Sequence, residues 1–307
     1  MIHQKQKTLL VVAGSTAVGK TALCIRLARE LGTDVVSADS RQLYRELTIG
    51  TAKPTPEEMQ GVRHHFIDSH SITQLIGAGD YEREALAVLQ TLFEEKDVVI
   101  LSGGTGLYIN ALCFGLDDMP TVDPALRTRL MQRLEHEGLE PLQQELRDRD
   151  PVYAASADLR NTQRVVRALE VILQTGQPFS SFHRKNGPGE AARPFRMVFI
   201  ALDRPREELY GRIDRRMDDM LARGLVEEVR SLQPYRHLNA LQTVGYKEVF
   251  DYLDGACDYA RMVELLKRNS RRYAKRQLTW FRHQGEYRWF HADDYEGVRS
   301  YGLGLRA

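Results

Sequence analysis

The chain lacks the features that would send it to a membrane, a zinc site or an oxidising compartment. No apolar run approaches membrane-spanning length, so no transmembrane helix and no membrane partner is expected. Its three cysteines, Cys24, Cys113 and Cys257, stand far apart, with no CxxC pair and no histidine at ligand spacing. That excludes a disulfide framework and a structural zinc site and fits a reducing cytoplasm. An excess of one charge is also missing: 43 Lys and Arg against 42 Asp and Glu leave a net charge of +1. No global field draws the protein to nucleic acid, and any basic surface has to be local. Internal repeats and low-complexity tracts are absent, and the polar stretch Met1 to Lys7 has no targeting pattern.

What is present is a chain of 307 residues with 42% hydrophobic content, enough for one large or two modest domains. Short apolar, β-branched runs at residues 9–13, 35–37, 98–101 and 198–202 alternate with longer helical patterns. Continuous apolar strands between helices predict an α/β fold with a parallel sheet covered on both faces. Too many residues separate the third and fourth runs for a single crossover. Within them lie charged helical segments at 126–136 and 141–149, so residues 119–158 are expected to form a small helical insertion between the core segments 1–118 and 159–307. The stretch "NTQRVVRALEVILQTG", residues 161–176, has apolar positions at helical spacing and a glycine stop, and is expected to return the chain to the sheet. After Leu202 the pattern is helical nearly to the end.

The first strand runs into "GSTAVGKT": Gly14, Ser15, Thr16, Ala17, Val18, Gly19, Lys20 and Thr21. This satisfies GxxxxGK[ST], a pattern met by chance in about one chain in a hundred of this length, and it has the strand before and helix after that a P-loop needs. Glycines let backbone N–H groups face a phosphate and the helix N-terminus adds its positive end. Lys20 neutralises a terminal phosphate, and the Thr21 hydroxyl can ligate magnesium. By default such a cradle holds ATP. The strand at 98–101, however, continues into Ser102-Gly103-Gly104-Thr105-Gly106, with no acid where a motor ATPase would hold its magnesium. That turn either offers donors to a second part of the ligand or merely permits a tight bend. The second strand delivers Asp39 beside the cradle, as a reactive group or as a turn cap.

A local basic surface appears late. Residues 261–288 hold nine Lys or Arg against two Glu. Lys267, Arg271 and Lys275 share one helical row and Arg268, Arg272 and Arg276 the next, with Tyr273, Trp280 and Phe281 interleaved. A stripe of this kind suits a nucleic-acid backbone, or is a solvated helix face with inward aromatics. Arg212 and Arg216, four apart, are a phosphate clamp or ordinary surface charges. His64, His65 and His70 lack a completing carboxylate at ligand spacing, and a metal there is not expected.

In order, "GSTAVGKT", "DSRQLY", "GTAKPT", "HHFID", "SGGTGLY", "QRVVRALEV", "RI" followed by "R", "TVGYKE" and "YAKRQLTWFR" resemble the tRNA dimethylallyltransferase (tRNA isopentenyltransferase) family, from about residue 9 to about residue 283. The resemblance implies a P-loop NTPase-like core. It implies transfer of a dimethylallyl group from dimethylallyl diphosphate to N6 of the adenosine 3′ of the anticodon, with Mg2+ on Thr21 and release of diphosphate, by a cytoplasmic monomer. Position by position, the cradle would hold diphosphate. Asp39, Thr105 and Arg216 would be catalytic, Asp39 as general base. The tRNA contacts would be Asp39, Ser40, Arg41 and Gln42; Gln163, Arg164, Val165, Val166 and Arg167; Leu241, Gln242, Thr243, Val244, Gly245, Tyr246 and Lys247; and Lys275 and Arg276. The insertion would grip the anticodon stem. Ser15 and Val18 stand where the family usually has Pro and Ser, and residues 68–81 depart from the usual segment. Two readings compete: a small-molecule kinase of the shikimate or nucleoside-monophosphate type, and a nucleic-acid-binding protein that uses ATP as a switch.

Overall fold

The computed structural model describes residues 6–117, 119–182 and 193–304. The chain divides into two units: Met1–Cys113 with Arg193–Ala307, and Phe114–Ala192.

The first unit is built on a sheet of parallel strands in the order β3-β2-β4-β1-β5-β6, as the alternation of apolar runs and helices predicts. β1 (Thr8–Gly14) lies centrally between β4 (Val98–Gly103) and β5 (Arg196–Asp203). Leu9 to Ala13 are fully buried, because a central parallel strand is covered on both faces. β2 (Val35–Ala38) pairs with β4 and with the two-residue β3 (His64–His65). β6 (Arg288–His291) closes the opposite edge. Neither β3 nor β6 was visible as an apolar run. Each is a short edge strand formed by pairing with a longer neighbour rather than by its own composition.

Around the sheet run α1 (Lys20–Leu31), α2 (Pro56–Met59), α3 (Ala78–Glu95) and α4 (Gly106–Phe114), which ends at the unit boundary. α1 starts from Gly19 at φ 118° and stops at Gly32 at φ 59°, both left-handed positions that glycine fills without strain. The apolar faces of α1 and of the later helices of this unit close on the sheet in one core that includes Leu23, Leu27, Ile100, Ile200, Ile213 and Val298.

The second unit contains α5 (Pro124–Glu137), α6 (Leu139–Arg149), α7 (Pro151–Ser156) and α8 (Thr162–Thr175). Asp123 and Asn161 cap α5 and α8, and Gly176 at φ 72° ends α8. Leu126, Leu130, Leu142, Leu146, Val165, Val166 and Leu169 form its own apolar cluster. The helix expected to return the chain to the sheet does not do so. The buried face of α8 is filled by α5 and α6, so the helical unit is wider than residues 119–158; the expected boundary residue 118 lies outside the described residues.

The chain returns to the first unit with β5, α9 (Arg206–Ala222), α10 (Leu225–Ser231), α11 (Tyr246–Leu253), α12 (Tyr259–His283), β6 and α13 (Tyr295–Gly302). Among the described residues no helix is long and apolar enough to cross a membrane.

Candidate active site

The cradle forms where β1 stops at the carboxyl edge of the sheet, the place where open parallel sheets bind ligands. Ala17 takes a left-handed φ of 63° to complete the loop, and Ser15 and Val18 are fully buried, so both substitutions in the expected motif leave backbone groups to do the binding. Lys20 folds back over the loop and donates from Nζ to Gly14 O at 2.9 Å and Ser15 O at 2.8 Å. Burial lowers its ammonium to a pKa of about 8, with Asp39 opposing the shift and Arg216 adding to it. A bound anion would supply the countercharge that these carbonyls only partly replace.

Three arginines hold the loop from β5–α9. Arg204 Nε donates to Val18 O at 2.7 Å, and its head is ion-paired to Glu208 and Asp293. Arg212 Nε donates to Ala17 O at 2.8 Å, and Arg216 Nη1 donates to Thr16 Oγ1 at 3.3 Å. Burial first, and Arg212 second, push the Arg216 guanidinium below its usual range, so it gains most from an anionic neighbour. Arg212 and Arg216 therefore both reach the cradle and are not surface charges.

Asp39, immediately after β2, caps a turn and also faces the cleft. Its Oδ1 accepts from Arg41 N at 2.9 Å and Gln42 N at 3.2 Å, an Asx-type turn. The same half-buried carboxylate lines one cleft of about 1240 Å³ with Lys20, Thr21, Arg216 and Tyr273. Thr105 Oγ1 accepts from Ser40 N at 3.0 Å and donates to Ser40 Oγ at 3.4 Å, tying the β4 turn to the segment after Asp39. Arg41 lines the cleft. Gln42 also lines it, but its amide is spent on Thr51 O and Ala52 O. The divergent segment runs beside residues 43–45 through His70 N to Leu43 O and Arg45 N to His70 O, and Lys53 Nζ holds Asp68 at 2.5 Å.

The glycines of "SGGTG" are explained by close approach. A Cβ on Gly103 would lie 2.2 Å from Ala38 O, one on Gly104 2.3 Å from Gln277 Nε2, and one on Gly106 2.0 Å from Trp280 Nε1. The last two admit α12. Gln277 Oε1 accepts from Thr16 N at 2.9 Å and its Nε2 donates to Gly104 O at 2.9 Å. Sequence reasoning missed Gln277 by reading its stretch for basic charge. The signal was its place on the inward face of α12, in the series Met262, Leu266, Ser270, Ala274, Gln277, Phe281. Tyr273, whose phenol is pushed up by burial and by Asp39, lines the cleft from the same helix.

The basic stripe does not survive as one surface. Lys267 pairs with Asp218 at 2.6 Å and Arg271 with Asp214 at 2.6 Å, both acids of α9. Arg272, Lys275 and Arg276 remain exposed. Of the 241–247 segment, Thr243 and Val244 line the cleft, while Gln242 and Lys247 are exposed. Leu241 and Tyr246 are fully buried, and the Tyr246 hydroxyl donates to Glu228 Oε1 at 2.6 Å, so their side chains are not free for a ligand. Gly245 is buried beside them. In the second unit Val165 and Val166 are likewise core. Gln163, Arg164 and Arg167 lie at or near the surface of that unit, where the buried Glu170 accepts from Arg127 at 2.7 Å and Arg167 at 3.3 Å, and Gln163 accepts from Arg127 at 2.7 Å.

His65 bonds Asp34 and His70 pairs with Glu84. Among the described residues no group of three or more His, Cys, Asp or Glu could hold a metal. The exposed Thr21 hydroxyl offers a cation a hard oxygen that suits magnesium when phosphate oxygens and waters complete its shell.

The family model described as IPP transferase matches residues 42–284. A tRNA dimethylallyltransferase of Cytophaga hutchinsonii is 53% identical over 96% of this chain and 96% of its own length, and tRNA dimethylallyltransferase 1 of Bacteroides thetaiotaomicron is 48% identical over 96% and 94%. Among solved structures, the full-length tRNA isopentenylpyrophosphate transferase of Bacillus halodurans superposes with a TM-score of 0.70 at 37% identity, covering 98% of this chain and 96% of that one. A eukaryotic dimethylallyltransferase described as acting on tRNA superposes with a TM-score of 0.76 at 25% identity, covering 97% and 77%. None of these relatives supports a kinase or an ATP switch.

Proposed function

From the premise that this chain belongs to the IPP transferase family and is a tRNA dimethylallyltransferase, we propose that its cleft joins dimethylallyl diphosphate on the cradle to N6 of the adenosine 3′ of the anticodon. The observation that carries this reading is that one cleft is lined by both Lys20–Thr21 and Asp39, while β4 ends in Ser102-Gly103, with no acid where a motor ATPase would carry one.

The exocyclic amine of adenine is a weak nucleophile because its lone pair is delocalised into the ring, and it is reachable only once the base has left its stack. In the flipped nucleotide, N6 attacks C1 of the dimethylallyl group, the C1–O bond breaks, and its electron pair leaves on diphosphate. The N6 proton passes to the Asp39 carboxylate, which the Arg41 and Gln42 amides hold in place. Lys20 and Arg216 meet the charge growing on the leaving diphosphate. Thr21 would hold a magnesium ion, which when bound adds positive charge at the same leaving group. Thr105, through Ser40, keeps the acceptor side of the cleft in register. Exposed Lys275 and Arg276, with Thr243 and Val244, suit the RNA backbone. Gln163, Arg164 and Arg167 of the helical unit suit the anticodon stem.

Incubation with labelled dimethylallyl diphosphate and unmodified tRNA is expected to label the tRNA at that adenosine, with magnesium and without ATP. A phosphorylated product that forms only with ATP would overturn the reading.

A further inference from the structure

Gln277 is 7% exposed, yet neither end of its amide is wasted. One end takes the backbone N–H of Thr16 in the cradle and the other gives a hydrogen to the carbonyl of Gly104, the residue before Thr105. The cradle belongs to the donor side of the cleft. The Gly104–Thr105 turn belongs to the acceptor side, since Thr105 N bonds Ala38 O and Thr105 Oγ1 bonds Ser40 N, on either side of Asp39. No other side chain among the described residues is hydrogen-bonded to both. Gly104 and Gly106 leave room for this approach and nothing larger would.

Resting on the proposed reaction, we infer that Gln277 is a positioning residue: its amide sets the distance between the diphosphate cradle and the Asp39–Thr105 side, and so the line between the donor carbon and the acceptor amine. The two residues before it, Lys275 and Arg276, are exposed, so the role is separable from tRNA affinity. A side chain of similar size without the amide fills the space but leaves Thr16 N–H and Gly104 O unpaired, and the cradle is free to drift. A misplacement on the order of an ångström costs about a hundredfold in rate.

The test compares single-turnover transfer, inorganic diphosphate binding and tRNA binding in wild type, Gln277→Leu and Gln277→Glu, with the melting temperature followed at each pH. Gln277→Leu is expected to lower the transfer rate by about a hundredfold, to weaken diphosphate, and to leave tRNA affinity unchanged. In Gln277→Glu a protonated carboxyl reproduces the amide, accepting from Thr16 and donating to Gly104, whereas the carboxylate repels the Gly104 carbonyl. Its rate relative to wild type should therefore rise as pH falls. Lys20, Asp39, Arg216 and Tyr273 face the same cleft and are common to both proteins, so the ratio isolates the new group. A wild-type rate in Gln277→Leu, a parallel loss of tRNA affinity, or a ratio flat with pH overturns the inference. If Gln277→Leu fails to fold, the Gln277→Glu ratio decides alone. Absence of transfer by the wild-type protein would instead retire the reaction itself.

Discussion

The turn cap and the proposed general base share the one carboxylate of Asp39, and they can be separated. Oδ1 caps the turn at Arg41 and Gln42, while the group as a whole faces the cleft. Asparagine keeps the capping carbonyl oxygen and cannot take a proton; alanine loses both. Asp39→Asn is therefore expected to slow single-turnover transfer by roughly a hundredfold, the usual scale of general-base loss, with donor and tRNA affinities retained. Asp39→Ala should lose tRNA affinity as well, because the turn that carries Ser40 to Gln42 loosens. A near-wild-type rate in Asp39→Asn would remove Asp39 as the base. At this scale the cradle was legible in the sequence, since eight consecutive residues contain the whole device. The conformation of Lys20, bent onto Gly14 O and Ser15 O, was not, because it depends on what surrounds the loop.

Among elements, α12 shows how far a one-dimensional charge pattern reaches. The spacing of its basic residues was read correctly as rows, but a row has no sign until its neighbour is known. Asp214 and Asp218 of α9 neutralise Arg271 and Lys267, Arg268 is half-buried, and the exposed charge of the two rows is confined to Arg272, Lys275 and Arg276. A lysine already paired releases few counterions when RNA binds. Lys275→Ala is thus expected to reduce the salt slope of tRNA binding by about one, while Lys267→Ala leaves it nearly unchanged. Equal slopes in the two variants, measured by titration over a salt series, would return the stripe to a continuous surface. α8 teaches the same lesson about apolar periodicity. Its buried stripe was evident, yet the stripe does not say whether a sheet or another pair of helices covers it; Leu130, Leu142 and Leu146 do.

The whole molecule consists of two units with separate apolar cores, one on the sheet and one among α5, α6 and α8. Leu146 is fully buried in the second, and Leu146→Ala should cost about 2–5 kcal/mol there through lost burial and a residual cavity. Because the proposed tRNA contacts include Gln163, Arg164 and Arg167 of this unit and the cradle belongs to the first, calorimetry of Leu146→Ala is expected to show weaker tRNA binding and unchanged inorganic diphosphate binding. Equal loss of both would mean that the two cores unfold together. The sequence by itself determined the parallel α/β core, the P-loop and the order of motifs across the chain, because each is written in residues a few positions apart. Tertiary structure alone decided which basic side chains are paired and which face solvent, where α8 packs, and that Gln277 holds Thr16 from 261 positions away. The physical reason is that a hydrogen bond or an ion pair is a property of two groups, and a local pattern contains one of them.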